Sequence, residues 1–256
     1  MARDDRPKSQ ARRATVTSRA ERDYAKQLKL LARNVGDLID SYVSGLHGLP
    51  TLTQLLRAYA LGLRPWASKV ASRMLGEVDL RDRDAWRSLG TAISAQLHQD
   101  IRNAPVGERM RELLDLQVEL IQSIPLQAAE RVHELAVRAR IEGTRAKEIA
   151  EEIARSGEVT QSRAMLIART ETSRAATTLV QARAESIGSV AYLWRTSRDG
   201  AVRESHRKME GVLVHWDDPP TLDGLTDHAG ALPNCRCWPE PVIADPYQPK
   251  LRSRRF

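Results

Sequence analysis

The hydrophobic period of this chain changes once, near Gly188, and that change limits the folds open to it. From about residue 21 to 186, apolar side chains recur at i, i+3, i+4 and i+7, the stripe of an amphipathic helix. After Gly188 the period falls to two. Val190, Tyr192 and Trp194 alternate with Ala191, Leu193 and Arg195, a strand pattern rich in aromatics. The expected fold is mainly α: a multi-helix N-terminal part, then a small α+β C-terminal lobe of short β-hairpin and irregular chain.

The helical part predicts unequal helices joined by short links. One runs from Glu21 to Val43 and stops at Gly45 and Gly48-Leu49-Pro50. Thr51 or Thr53 caps a second through Leu52, Leu55, Leu56 and Tyr59, with a kink near Pro65. A third spans Asp82 to Ile101. Met110, Leu113, Leu114, Gln117, Ile121 and Ile124 mark a fourth, and Pro125 opens a fifth through Ala129, His133, Val137 and Ile141. Gly143 breaks that helix. Thr144 then caps a short one that Gly157 ends, and a longer helix covers Gln161 to Ser186. His133 lies on an apolar side and is expected in the core, whereas His47 and His98 are expected at the surface. Glu171, one turn from Arg174 and near Arg169, predicts an internal ion-pair cluster that orients the last helix.

With one Phe in 256 residues, the core must be largely aliphatic. Forty basic against 33 acidic residues leave a net charge of +7 and a sequence pI near 9.7. That balance favours an anionic partner such as DNA, although interspersed charge also serves solubility alone. The candidate DNA-contacting residues are Arg3, Arg6, Lys8, Arg12 and Arg13 in a basic arm at 1–20, and Lys250, Arg252, Arg254 and Arg255 in a basic tail at 244–256. No apolar run approaches the roughly 18 residues of a bilayer span. The polar N-terminus lacks the core of a signal peptide, so a cytosol-like compartment is expected.

Residues with chemistry gather between Trp194 and Val242, which holds both cysteines and three of the five tryptophans. Cys235 and Cys237 flank Arg236. One residue apart, they are badly placed to bridge each other. Thiolate and imidazole are preferred zinc ligands, and a Cys-x-Cys hairpin presents both sulfurs to one ion while Arg236 points away. His206 and His228 complete a closed set of four, so zinc is the candidate cofactor. It would cross-link a lobe with little core of its own. The alternative makes Cys235 and Cys237 small buried hydrophobes beside Trp238. Asp199, Glu204, His206, Glu210, Asp217 and Asp218 frame another alternative, a metal-dependent nuclease or other enzyme on the lobe of Asp199, His206, Cys235 and Cys237. No nucleophile elbow, Walker loop or HExxH helix is present, and Asp217-Asp218-Pro219-Pro220 equally suits a strand-ending turn. No enzyme activity is therefore expected.

Several motifs match together and in order: I-A-R-T-E-T (Ile167 to Thr172), Y-L-W-R-T (Tyr192 to Thr196), Asp199, R-E-S-H (Arg203 to His206), M-E-G (Met209 to Gly211), W-D-D-P-P, and N-C-R-C (Asn234 to Cys237). Over about residues 125–243 they resemble the C-terminal domain of phage Mu F-like minor head proteins, the phage head-morphogenesis family. Arg169, Glu171, Trp194, Asp199, Arg203, Gly211 and Arg236 are the motif residues of this resemblance. Residues 21–124 resemble the family only in being helical. The resemblance implies a minor capsid component inside the procapsid, associated with portal protein and capsid proteins and present in several copies per portal. It would assist head assembly and DNA packaging or delivery. Its place would be the virion, in the capsid interior, after assembly in the host cytoplasm, with no membrane in the finished head. Some relatives carry C-x-x-C where this chain has R-E-S-H, which leaves His206 as the ligand there and recruits His228. A free DNA-binding module and a metal-dependent enzyme are the competing classes.

Overall fold

The computed structural model of the chain describes residues 17–44, 49–93, 104, 106–142 and 146–243. His47, His98 and all nine candidate DNA-contacting side chains lie outside these residues. Among the described residues are six helices: α1 (Ser18–Ser44), α2 (Leu49–Gly62), α3 (Arg64–Ile93), α4 (Val106–Glu142), α5 (Ala146–Ser186) and the single turn α6 (Glu204–Arg207). The strands are β1 (Ala191–Arg195), β2 (Leu213–His215), β3 (Thr221–Leu222), β4 (Leu225–Thr226) and β5 (Trp238–Val242). A mainly helical chain with a small strand-bearing C-terminal region is the class that the two periods predict. No helix among the described residues is long and apolar enough to cross a membrane.

Several helix boundaries differ from expectation, each for a physical reason. Neither Thr51 nor Thr53 starts α2, which begins at Leu49 with Pro50 in its first turn. Pro65 does not kink α2; it sits in the first turn of α3, where a missing N–H costs no helical bond. The third helix therefore begins at Arg64, not Asp82. Pro125 lies inside α4 rather than opening a new helix. An internal proline costs about 3 kcal/mol. Against that cost, Ile121, Ile124, Ala128, Ala129 and Val132 stay buried along one continuous face, and the burial of that face wins. Gly157 does not end a helix, because α5 passes through it. A Cβ there would stand 3.5 Å from the Gly36 Cα, so this glycine allows two helices to approach closely. His133 is exposed, one step around α4 from buried Val132.

The chain forms two compact units, each assembled from separated stretches. One holds Ser18–Glu77 and Arg111–Thr172; the other holds the described residues within Val78–Met110 and Ser173–Phe256. The first has the aliphatic core that the composition requires, including Leu28, Leu31, Val35, Ile39, Leu52, Leu56, Ile121 and Ile124. A buried polar relay runs through it. Tyr24 Oη donates to Gln117 Oε1 at 3.0 Å, and Gln117 Nε2 donates to the Glu171 carboxylate at 3.0 Å. Nearby, Arg169 pairs with Glu21 at 3.5 Å.

The second unit is built on a three-stranded antiparallel sheet of order β2-β1-β5. Tyr192 lies opposite Val214 on one side and Pro241 on the other, and Trp194 lies opposite Pro239. Tyr192, Trp194 and Val214 face a core shared with Trp86 of α3, Val180 and Ala184 of α5, Trp216, Ala229, Leu232 and both cysteines. This core is larger and more aromatic than the local sequence of the lobe suggests, because α3 and α5 contribute to it.

Candidate metal centre

The site is assembled from α6 and the loop before β5. Arg203 precedes α6, whose one turn buries His206. The His206 Nδ1 stands 3.3 Å from Cys235 Sγ and 3.6 Å from Cys237 Sγ. Among the described residues these three form the one group of His, Cys, Asp or Glu able to share an ion, with ligand atoms all within 4.8 Å of one another. Tetrahedral zinc, with sulfur at ~2.3 Å and nitrogen at ~2.05 Å, sets a nitrogen–sulfur edge of about 3.6 Å. The two nitrogen–sulfur distances lie close to that edge, so the three donors suit zinc in chemistry and spacing. Trp194 packs edge-on against the His206 ring, with centroids 5.6 Å apart, and shields one side.

Sulfur chemistry supports the same use. The Cys235 thiol is held down to about 6 by the Cys237 thiol against the opposing effect of burial, with further help from the backbone N–H groups of Cys237 and Gly230 and from His206. Cys237 is pushed up by sharing with Cys235 and by burial. The lowering of Cys235 runs in the direction that metal binding needs, and a cation would favour ionisation of the second sulfur as well.

The loop depends on backbone approach that only glycine permits. Gly230 has a φ of 91°, and a Cβ there would lie 2.7 Å from Thr177 Oγ1 and 2.8 Å from the Cys237 carbonyl oxygen. The small, polar face of α5 serves this contact. Thr177 Oγ1 donates to the Ala229 carbonyl at 2.7 Å, and Arg174 donates to that of Ala231 at 2.9 Å.

The other expected residues have separate tasks. His228 is not in the donor group. Its Nδ1 is 3.3 Å from Tyr192 Oη, and its ring meets Tyr192 and Trp216 edge-on at 5.6 and 5.5 Å. The turn at Gly230 carries the chain away between His228 and Cys235, so seven residues of separation do not bring the two together. Burial lowers the His228 pKa against the pull of Asp227. Arg236 does point away from the sulfurs, donating to Asp199 at 2.8 Å, while Asp199 also accepts from the Ala201 N–H at 3.0 Å. Arg203 donates to the Pro233 carbonyl at 3.0 Å. Gly211, at a φ of 78°, donates its N–H to the Trp194 carbonyl at 2.8 Å.

Glu210 accepts from the Thr196 N–H and hydroxyl, both at 2.7 Å, and from Arg198 at 3.0 Å. Burial pushes its pKa up, but these hydrogen bonds outweigh that and hold it at about 2. Arg195 pairs with both Glu210 and the buried Glu240. Glu204 pairs with Arg207 at 3.2 Å. None of Asp199, Glu204, Glu210, Asp217 or Asp218 enters the group able to hold an ion.

Asp223 is the residue that the sequence reading missed. Its carboxylate lies 3.8 Å from His206 Nε2 and accepts from Ser205 Oγ at 2.9 Å. The available signal was Thr-Leu-Asp-Gly-Leu-Thr, an Asp-Gly turn between two short matching runs. Asp223 and Gly224, with φ of 54° and 80°, make the two-residue hairpin turn between β3 and β4.

Comparison with known proteins adds a relationship. The sequence model of a family described as Phage Mu protein F like protein matches residues 130–239. A Haemophilus influenzae protein, described only as uncharacterized, is 37% identical over 144 residues, which cover 56% of this chain and 32% of that protein. The chain thus spans about a third of the length of that relative. No solved structure matches the chain.

Proposed function

Because residues 130–239 match the model of the Phage Mu protein F like family, we propose that this chain is a minor capsid protein of phage head morphogenesis. The family is typically structural and implies a place in the virion and contact with other head components. Within that frame the protein acts inside the procapsid beside the portal protein. It assists head assembly and DNA packaging or delivery after synthesis in the host cytoplasm, and its basic arm and tail contact DNA. His206, Cys235 and Cys237 hold zinc, which cross-links α6 to the loop before β5.

The observation carrying this reading is the use to which the motif side chains are put. Asp199, Arg203, Gly211 and Arg236 tie loops to one another around a buried Cys-Cys-His group rather than lining an open acidic cleft. The test is fractionation of procapsids and mature particles, followed by affinity capture of the portal ring. The chain is expected in both particle types and with the ring. Its absence from both particles would overturn the assignment. Binding to duplex DNA should weaken steeply with salt and be lost on deleting 1–16 and 244–256.

A further inference from the structure

His206 has a second ring nitrogen whose surroundings the sulfur contacts do not explain. Its Nε2 is buried and has no hydrogen-bond partner among the described residues. The Asp223 carboxylate stands 3.8 Å away, beyond a hydrogen bond but within ion-pair reach. That carboxylate is held in place from the segment that carries His206: Ser205 Oγ donates to it at 2.9 Å, and Arg203 Nη1 lies 3.6 Å from it. Its turn fixes it from the other side through the left-handed backbone at Asp223 and Gly224.

A neutral imidazole carries one N–H, and the nitrogen without it is the one that can bind a cation. With the proton on Nε2, the bare Nδ1 faces both sulfurs. A ligating histidine ordinarily donates its other N–H to a carboxylate or carbonyl, which fixes ring and tautomer together. We propose that Asp223 is the positioning residue of the His206–Cys235–Cys237 centre. Its carboxylate accepts a hydrogen bond from the Nε2–H, fixes the tautomer that leaves Nδ1 bare toward the sulfurs, and so tightens zinc binding. This inference rests on the zinc assignment above. A cation at Nδ1 makes the Nε2–H a stronger hydrogen-bond donor, which favours closing the 3.8 Å gap by less than an ångström.

The test uses the full chain and two variants that keep the turn. Asn tolerates the left-handed conformation and Gly adopts it freely, so neither Asp223→Asn nor Asp223→Gly strains the backbone. Zinc affinity is measured by competition with a chromophoric chelator. The wild type should bind one zinc, Asp223→Gly should bind it about 10–100-fold more weakly, and Asp223→Asn, which can still accept a hydrogen bond, should fall between. In the zinc-loaded chain, ¹⁵N NMR should show a His206 Nε2–H that is hydrogen-bonded and slow to exchange with solvent in the wild type, and faster to exchange in Asp223→Gly. A structural role for the turn alone would not change that exchange. Equal zinc affinity in wild type and Asp223→Gly overturns the positioning role while sparing the zinc assignment. A wild type that binds no zinc overturns both, and equal Nε2–H exchange in the zinc-loaded wild type and Asp223→Gly overturns the Asp223–His206 bond by itself.

Discussion

In the unit that holds all of α1 and α2, the buried polar groups answer one another in sequence. The Tyr24 hydroxyl reaches Gln117, and Gln117 reaches Glu171, within a core of Leu, Ile, Val and Ala. In the strand-bearing unit some buried polar groups also pair, as Arg183 does with Asp82, but one set converges on a point instead. His206, Cys235 and Cys237 turn their donor atoms toward a common centre within a core of Trp86, Tyr192, Trp194 and Trp216. A relay is complete in itself, since each donor has its acceptor. A convergent set of soft donors is completed by a cation. The two units should therefore differ in what they require of their surroundings, even though both bury a continuous core.

The sharpest way to break this contrast is to remove a sulfur. Cys235→Ser or Cys237→Ser should release zinc and destabilise the strand-bearing unit by about 4 kcal/mol or more, the range reserved for lost metal sites and similar large defects. A chelator should reproduce the effect in the wild type. Tryptophan emission is the readout, because Trp86, Trp194 and Trp216 all lie in that core. Unchanged emission and melting in chelator would mean that the aromatic core alone holds the unit.

Acid provides a finer probe of the same unit. The folded-state pKa of Glu210 is depressed from 4.5 to about 2, so its contribution is present above about pH 4.5 and is lost as pH falls toward 2. Glu210→Gln should cost about 1.5–3 kcal/mol at neutral pH, the worth of hydrogen bonds to a charged acceptor. It should also flatten the acid limb of a stability–pH curve. An acid limb identical to that of the wild type would show that Glu210 does not lock Thr196 and Arg198.

The smallest effect belongs to the relay. Tyr24→Phe removes one donor and should cost about 1 kcal/mol, equally with and without chelator. Burial, with the Glu171 charge behind it, raises the Tyr24 pKa above its ordinary value of 10.0. The wild type should therefore lose stability above about pH 10 in a way that the variant does not. A chelator-dependent loss in Tyr24→Phe would erase the distinction between the units.

How much of this was legible depended on whether a residue's task was local. The period change at Gly188 marks the start of the sheet region because side-chain alternation is a property of the strand itself. Cys235, Cys237 and His206 were legible by donor chemistry, and they meet. His228 has the same chemistry but faces Tyr192 and Trp216, because the turn at Gly230 intervenes; spacing along the chain does not encode the direction of a turn. Gly157 and Pro125 look like helix ends, yet a glycine serves close approach as readily as a cap, and a proline survives inside a helix whose apolar face is long enough. Trp86 and Asp223 were not assigned at all. One reaches the lobe core from a helix about a hundred residues earlier, and the other reaches the imidazole from what reads as an ordinary turn.

The strand β5 carries Pro239 and Pro241 at the margin of its sheet. Each proline removes a backbone donor, so an incoming extended segment finds few groups to bind along that side. On the opposite margin β2 offers only three residues. Both margins of this sheet therefore offer little to an edge-on strand, the arrangement by which β proteins avoid pairing with their own copies.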